Sequence, residues 1–275
     1  MNTLGVIAVI CSVLAFAMTF HQLRLRSVKI RRVFLGGLGL LSIPSILFAV
    51  YYLHVLPEQA WFYTLRSWSG SEFLIVFLGC AAAAAASLLP RLLLGVPLFV
   101  LLVLGVIPYL KPLIGPLPDS LFKERWRGDA CLQSTPSTCG PASVTTIFRR
   151  LGVQTSERVV ARAAFSYAGG TEAWYLARFV RRNGLVPRFD FRDTFSPSVG
   201  LPAIVGVRIA GVGHFIAVLD LADDQVTFVD PLFGQFRMPL SQFQRRYEFT
   251  GFHMVITDGN LGKNDGTGPR HQTQL

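Results

Sequence analysis

Four side chains in the C-terminal half of this 275-residue sequence could share one piece of chemistry: Gln133, Cys139, His214 and Asp230. Cys139 opens Cys139-Gly140-Pro141-Ala142-Ser143, where proline suits the first turn of a helix; apolar residues recur at Ala142, Val144, Ile147, Phe148 and Leu151 before Gly152 stops the pattern. A sulfur at a helix N-terminus meets free N–H groups and the positive end of the dipole, which favour the nucleophilic thiolate. Taken alone, a cysteine beside a turn reads sooner as a buried structural residue. His214 starts the apolar strand Phe215–Leu219, and Asp230 ends another, Val226–Val229, just before Pro231. The polar stretch Leu221–Asp224 reads as the hairpin turn between them. Pairing Asp220 with Asp224 joins residues whose numbers sum to 444, which sets His214 directly opposite Asp230. A carboxylate there holds the imidazole by its ring N–H and fixes the tautomer that deprotonates a thiol. Gln133, six residues before Cys139 in a loop broken by Pro136, can aim a side-chain N–H at a carbonyl oxygen beside the sulfur. The Cys139 backbone N–H is the second donor. Each residue alone has a bland role; in this order together they predict a nucleophile, a base held by an acid, and an oxyanion site.

The elements that must position them follow from periodicity and turn residues. Ser156–Ala164 reads as a second helix with Ser156 as its cap, and Thr171–Asn183 as a third, with Arg181 and Arg182 in its last turn and Gly184 beyond. Strands are predicted near Pro187–Phe191, Ala203–Ile209, His214–Leu219, Val226–Asp230 and Gln235–Met238, then a helix over Leu240–Tyr247 and a strand over Phe252–Thr257. Helices first and an antiparallel sheet after is an α+β arrangement. Trp174 and Tyr175 on the third helix read either as core or as a peptide-binding wall. Arg149, Arg150, Arg181 and Arg182 read as solvated helix ends, and the polar tail 258–275 as disordered.

The first half is of a different kind. The hydrophobic fraction is 51% and charged residues are 15%, against roughly a quarter charged in soluble domains, and the mean hydropathy is +0.45. Those values exclude a disordered or fibrous chain and point to a bilayer. Residues 1–114 hold four apolar runs, Leu4–Phe20, Val33–Val55, Phe73–Leu89 and Leu92–Leu110, read as four transmembrane helices, with 115–129 as a linker. The alanine run Ala81–Ala86 allows close helix approach. Ala15-Phe16-Ala17 resembles a signal-peptide cleavage site, but no basic residue precedes that run and five follow it, which favours an anchor with its N-terminus outside. With Arg24, Arg26, Lys29, Arg31 and Arg32 cytoplasmic, the soluble half falls on the extracytoplasmic side, against the opposing pull of Lys111, Lys123, Arg125 and Arg127. Part of the net charge of +10 is this topology signal, and the soluble half has no basic stripe with interleaved aromatics, so no nucleic-acid partner is expected. With few ionisable residues inside the runs, an ion pathway is not expected either. None of the four cysteines form a CxxC pair, so structural zinc is not expected; Cys11 and Cys80 lie within apolar runs.

Three motifs in order, Gln133-Ser-Thr-Pro-Ser-Thr-Cys139-Gly-Pro-Ala, Gly213-His214-Phe215-Ile-Ala-Val and Val229-Asp230-Pro231-Leu-Phe-Gly234, resemble peptidase family C39, the bacteriocin-processing endopeptidases, across roughly residues 130–257. The resemblance implies a papain-like cysteine peptidase domain following the four transmembrane helices. In it Cys139 is the nucleophile, His214 the general base and acid, Asp230 the orienting residue and Gln133 the oxyanion-hole donor. It implies a peptide or protein substrate, cleavage of leader peptides after a Gly-Gly pair, a possible export or processing complex, and no metal or cofactor. The best-known members carry the peptidase at the N-terminus of an ABC transporter; here it follows the membrane region and no GxxxxGK[ST] loop is present, so the double-glycine specificity does not carry over. The acidic residue that commonly precedes the nucleophile is here Thr138, which bears on activation of the cysteine. Cys131 admits two readings, a small core residue or the partner of Cys139 in a reversible, silencing disulfide. Beside endopeptidase, the same residues fit a thiol acyltransferase or transpeptidase, or a non-catalytic peptide-binding module.

Overall fold

The computed structural model describes residues 2–259, so most of the predicted tail lies outside the described residues. By contacts the chain forms two units: one runs to Phe122 and includes Ala161–Tyr175; the other comprises Lys123–Val160 and the chain from Leu176.

The first unit is helical: α1 (Thr3–Leu23), α2 (Val28–Tyr52), α3 (Ala60–Arg66), α4 (Ile75–Leu88) and α5 (Gly95–Ile114), with short 3₁₀ turns at Ser71–Leu74 and Arg91–Leu93. Among the described residues four helical segments are long and apolar enough to cross a membrane: Thr3–Leu23, Val28–Tyr52, Ser71–Leu88 and Arg91–Ile114. Small residues bring α1 against α4: a Cβ on Gly79 would stand 2.2 Å from the Ser12 carbonyl oxygen, and Ala83 and Ala84 of the alanine run are fully buried. Without a hydrophobic drive between helices in lipid, such close packing carries the association. Arg31 of the basic cluster has a structural task, donating to the carbonyls of Arg24, Arg26 and Ser87 at the ends of two helices.

The segment Ala161–Tyr175 lies inside the stretch expected as one soluble domain, yet its contacts belong to the first unit. Glu172 Oε1 accepts from Lys111 Nζ at 2.9 Å and from the Tyr167 hydroxyl at 3.0 Å. The Tyr175 hydroxyl accepts from Asn2 and Arg66, and Trp174 packs among Tyr52, Phe62 and Tyr63. Both rings are 2% exposed, so Trp174 and Tyr175 are core residues, not a peptide-binding wall.

The second unit is α+β. A short hairpin, β1 (Arg125–Arg127) and β2 (Ala130–Leu132), turns through Gly128-Asp129 within the stretch read as a linker. Then come α6 (Cys139–Arg150), α7 (Glu157–Ala163), α8 (Ala173–Arg182), β3 (Leu185–Phe191), β4 (Ala203–Ile209), β5 (Val212–Ala222), β6 (Gln225–Asp230), β7 (Gly234–Pro239), α9 (Leu240–Arg246) and β8 (Glu248–Asp258), the end of α7 from Ala161 and the start of α8 to Tyr175 counting with the first unit. The predicted elements are all present within a few residues, and Ser156 caps α7 as expected, its hydroxyl accepting from Val159 N. The six main strands form one antiparallel sheet in the order β3-β8-β4-β5-β6-β7. Alternate residues of β4, β5 and β6, among them Val205, Ile216, Val218 and Phe228, pack with Phe243 and Tyr247 at α9 in one apolar cluster. Phe215, on the other face of β5, meets α6, where a Cβ on Gly140 would come within 3.2 Å of its ring.

Candidate active site

Gly140 against Phe215 sets the level at which α6 meets β5, and the residues one step earlier on each element are Cys139 and His214. Both are buried, each 8% exposed. Cys139 lies close enough to the His214 ring to favour its protonation. His214 Nε2 lies 2.9 Å from Asp230 Oδ1, which leaves Nδ1 as the ring nitrogen that can serve the sulfur. Asp230 is fully enclosed, and three donors hold its carboxylate: Oδ1 accepts from His214 and from Leu232 N at 3.0 Å, and Oδ2 accepts from the Tyr247 hydroxyl at 2.9 Å. Burial opposes charge on both partners, but the hydrogen bonds outweigh it. Asp230 and the thiol raise His214 to about 9, and His214, Leu232 N and Tyr247 hold Asp230 below its usual range. A cysteine, a readily protonated imidazole and an ionised carboxylate therefore lie together.

Asp230 does not stand directly opposite His214, as the ladder sum of 444 predicted. The turn is two residues, Asp223-Asp224, both at positive φ, so Ala222 pairs with Gln225. From there the pairs sum to 447 until the irregularity between Val218 and Asp220, and to 446 beyond it, as in Ala217↔Val229. Continuing that register sets Asp230 opposite Ile216, with His214 its diagonal neighbour on the same face, still within reach of long side chains. Leu219 is the extra residue of a β-bulge. Without it the odd register would have turned Asp230 to the face away from His214.

Gln133 follows β2, and its loop is tied to the Asp230 strand: Gln133 N donates to Pro231 O at 2.9 Å. Its Nε2 donates to Thr135 O at 2.8 Å, leaving a second amide hydrogen uncommitted there. The same Thr135 carbonyl accepts from the Thr138 amide at 3.2 Å and the Thr138 hydroxyl at 3.0 Å. One oxygen thus joins the glutamine side chain to the residue before the sulfur. Thr138, where an acidic residue was the family expectation, closes this turn, its hydroxyl also accepting from Thr135 N.

Cys131 is fully buried in β2, and burial, with Glu157 and Glu124 nearby, pushes its thiol up to about 12. Such a thiol supplies little thiolate for exchange, which favours the core reading over the disulfide one; all four cysteines are free. Among the described residues a second buried histidine, His253, contrasts with His214: burial lowers its pKa, and its Nδ1 donates to Gly251 O. Arg149 and Arg150 pair with Asp129 and Asp220 at the exposed end of α6. Sequence reasoning missed Tyr247, which the fold alone brings to Asp230, and Glu157, whose carboxylate accepts from Ser134 N at 2.7 Å.

A family model, Peptidase C39 family, matches residues 128–260, and a protein of unassigned function from Methanothermobacter marburgensis is 32% identical over 124 residues, 45% of this chain and 84% of that one. The chain belongs to the peptidase C39 family. A further relative of this C39 chain, the probable functional amyloid protease FapD of Pseudomonas aeruginosa, is 24% identical over 143 residues, which is 49% of this chain and 63% of FapD. Among solved structures, the peptidase domain of Streptococcus ComA, a bi-functional ABC transporter involved in quorum sensing, aligns at 22% identity and a TM-score of 0.40, covering 46% of this chain and 95% of that domain. A double glycine motif protease from an AMS/PCAT transporter, in complex with its leader peptide, aligns at 18% identity and a TM-score of 0.41, covering 50% and 96%.

Proposed function

We propose that this C39-family chain is a membrane-anchored cysteine endopeptidase acting on peptide or polypeptide segments near the bilayer surface, with its peptidase domain on the extracytoplasmic side. The observation that carries the reading is the His214 ring hydrogen-bonded to the Asp230 carboxylate and close to Cys139 at the start of α6. In the proposed reaction the Cys139 sulfur attacks the scissile carbonyl and His214 Nδ1–H protonates the departing amine. Water, deprotonated by the then neutral ring, hydrolyses the thioester and returns the proton. The developing oxyanion sits between the uncommitted Gln133 amide hydrogen and the Cys139 backbone N–H. Asp230 fixes the tautomer, and Tyr247 fixes Asp230. The name of FapD supports proteolysis as the activity and says nothing of this chain's substrate.

The test compares N-terminal proteomes of membrane fractions from cells carrying the native chain or Cys139→Ala. New N-termini that depend on Cys139 are expected and identify the substrate. Products extended by an added amine would favour acyl transfer, and identical proteomes would remove the catalytic reading.

A further inference from the structure

We infer that Glu157 is the positioning residue of the oxyanion loop, acting through Ser134 on Gln133; the inference rests on the cysteine-peptidase reading. Glu157 begins α7 and is 1% exposed. Both carboxylate oxygens address one residue: Oε1 accepts from Ser134 N at 2.7 Å, and Oε2 accepts from the Ser134 hydroxyl. That hydroxyl also accepts from Lys123 N at 2.9 Å. A buried carboxylate is unfavourable unless hydrogen bonds hold it, and here they converge on Ser134, one of them through its peptide unit.

That unit joins Gln133 to Ser134. Its N–H end is held by Glu157 and its carbonyl end by Arg125, whose Nη2 donates to Gln133 O at 3.1 Å. Gln133 N is held by Pro231 O. The backbone on both sides of Gln133 is thus fixed, two of the three restraints through a charged group, and the side-chain amide can swing only about its own torsions. The same short loop runs directly into Cys139. Rotation of the clamped peptide would pull the Gln133 amide off Thr135 O and carry the donor away from the sulfur, which is seated on α6. Glu157→Gln can rebuild the pattern without charge: its carbonyl accepts from Ser134 N, and its amide donates to the Ser134 oxygen, which turns its own hydrogen to Lys123 O. Glu157→Ala leaves the part-buried Ser134 N–H without its acceptor.

The experiment uses the full chain in detergent micelles and two probes, with Cys139→Ala as the blank for the other thiols. p-Nitrophenyl acetate acylates the sulfur through an oxyanion; iodoacetamide alkylates it without one. Gln133→Ala should slow acylation about 100-fold and leave alkylation within about twofold. Glu157→Ala should slow acylation on the order of tenfold or more with alkylation unchanged, Glu157→Gln should stay within about threefold of wild type, and Gln133→Ala/Glu157→Ala should be no slower than Gln133→Ala alone. Wild-type acylation by Glu157→Ala, a parallel fall in alkylation, or additive losses in the double variant would overturn the assignment. If Glu157→Ala does not accumulate, Glu157→Asp keeps the charge but withdraws it by one methylene; it must slow acylation selectively, and wild-type behaviour would refute the inference. Absence of Cys139-dependent acylation in the wild type would defeat the peptidase reading, and this assignment with it.

Discussion

Replacing Asp230 by Asn removes a charge while leaving the hydrogen-bond geometry satisfiable. The amide oxygen must take the place of Oδ1, because both groups facing it, His214 Nε2–H and Leu232 N–H, are donors. The amide nitrogen then faces the Tyr247 hydroxyl, which switches from donor to acceptor. What is lost is the carboxylate's pull on the imidazole proton. Burial lowers the His214 pKa, but the bond to Asp230 and the nearby Cys139 raise it to about 9; loss of an adjacent opposite charge lowers such a group by about 1–3 pH units. The imidazolium must donate to the leaving amine, so activity falls as pH rises through the His214 pKa. The alkaline limb of kcat/KM, measured on a quenched peptide spanning a Cys139-dependent cleavage site, should move from near 9 to roughly 6–8. At pH 7 the protonated fraction then drops to somewhere between about nine tenths and one tenth of the molecules. In a serine triad the corresponding change costs about 10⁴ in kcat because the wrong tautomer results. A thiol can hand its own proton to the ring, and the amide oxygen can still accept from Nε2, so the loss here should be smaller, about 10- to 100-fold. An alkaline limb that stays near 9, or moves upward, would refute the claim that Asp230 sets the proton affinity of His214.

Tyr247→Phe keeps its ring in the aromatic cluster but removes the donor to the enclosed Asp230 Oδ2; it should cost about 1.5–3 kcal/mol in a thermal or denaturant melt and hold or raise the alkaline limb, opposite in sign to Asp230→Asn. Gln133→Ala should lower kcat by about 10²- to 10³-fold on the same peptide with little change in KM. Brief iodoacetamide treatment at pH 8 followed by peptide mapping should label Cys139 and spare Cys131, whose thiol is pushed up to about 12; equal labelling would contradict the burial argument. Asp224→Gly relieves a positive-φ aspartate in the β5–β6 turn and should raise the melting midpoint by the equivalent of about 0.5–1 kcal/mol.

The sequence made most of the peptidase unit legible because its signals are local. Proline and glycine bracket α6, Ser156 caps α7, and alternation marks the strands that carry His214 and Asp230. Order within the sheet was not legible: β8, the last strand, lies between β3 and β4, a choice made by tertiary packing. The β1–β2 hairpin was passed over because three-residue strands carry almost no alternation, although Gly128-Asp129, with Gly128 at positive φ, is a turn signal. The His214–Asp230 contact was anticipated with the wrong ladder, since two aspartates at positive φ tighten the turn and a bulge restores the face. Tyr247, just past the end of α9, and Glu157, at the start of α7, reach the site from separate parts of the chain, so no spacing rule links them to it. Trp174 and Tyr175 were undecided because amphipathicity does not say what covers a helix face; here Tyr52, Phe62 and Tyr63 cover Trp174.

The extra residue at Leu219 constrains how this hairpin can change length over evolutionary time. Gaining or losing one residue between Leu219 and the tip would swap inside for outside along the stretch leading to the acid, and separate base from acid without touching either. Changes in pairs, one on each strand, leave that handedness untouched. Natural length variation and laboratory loop grafts at this tip should therefore come in even steps.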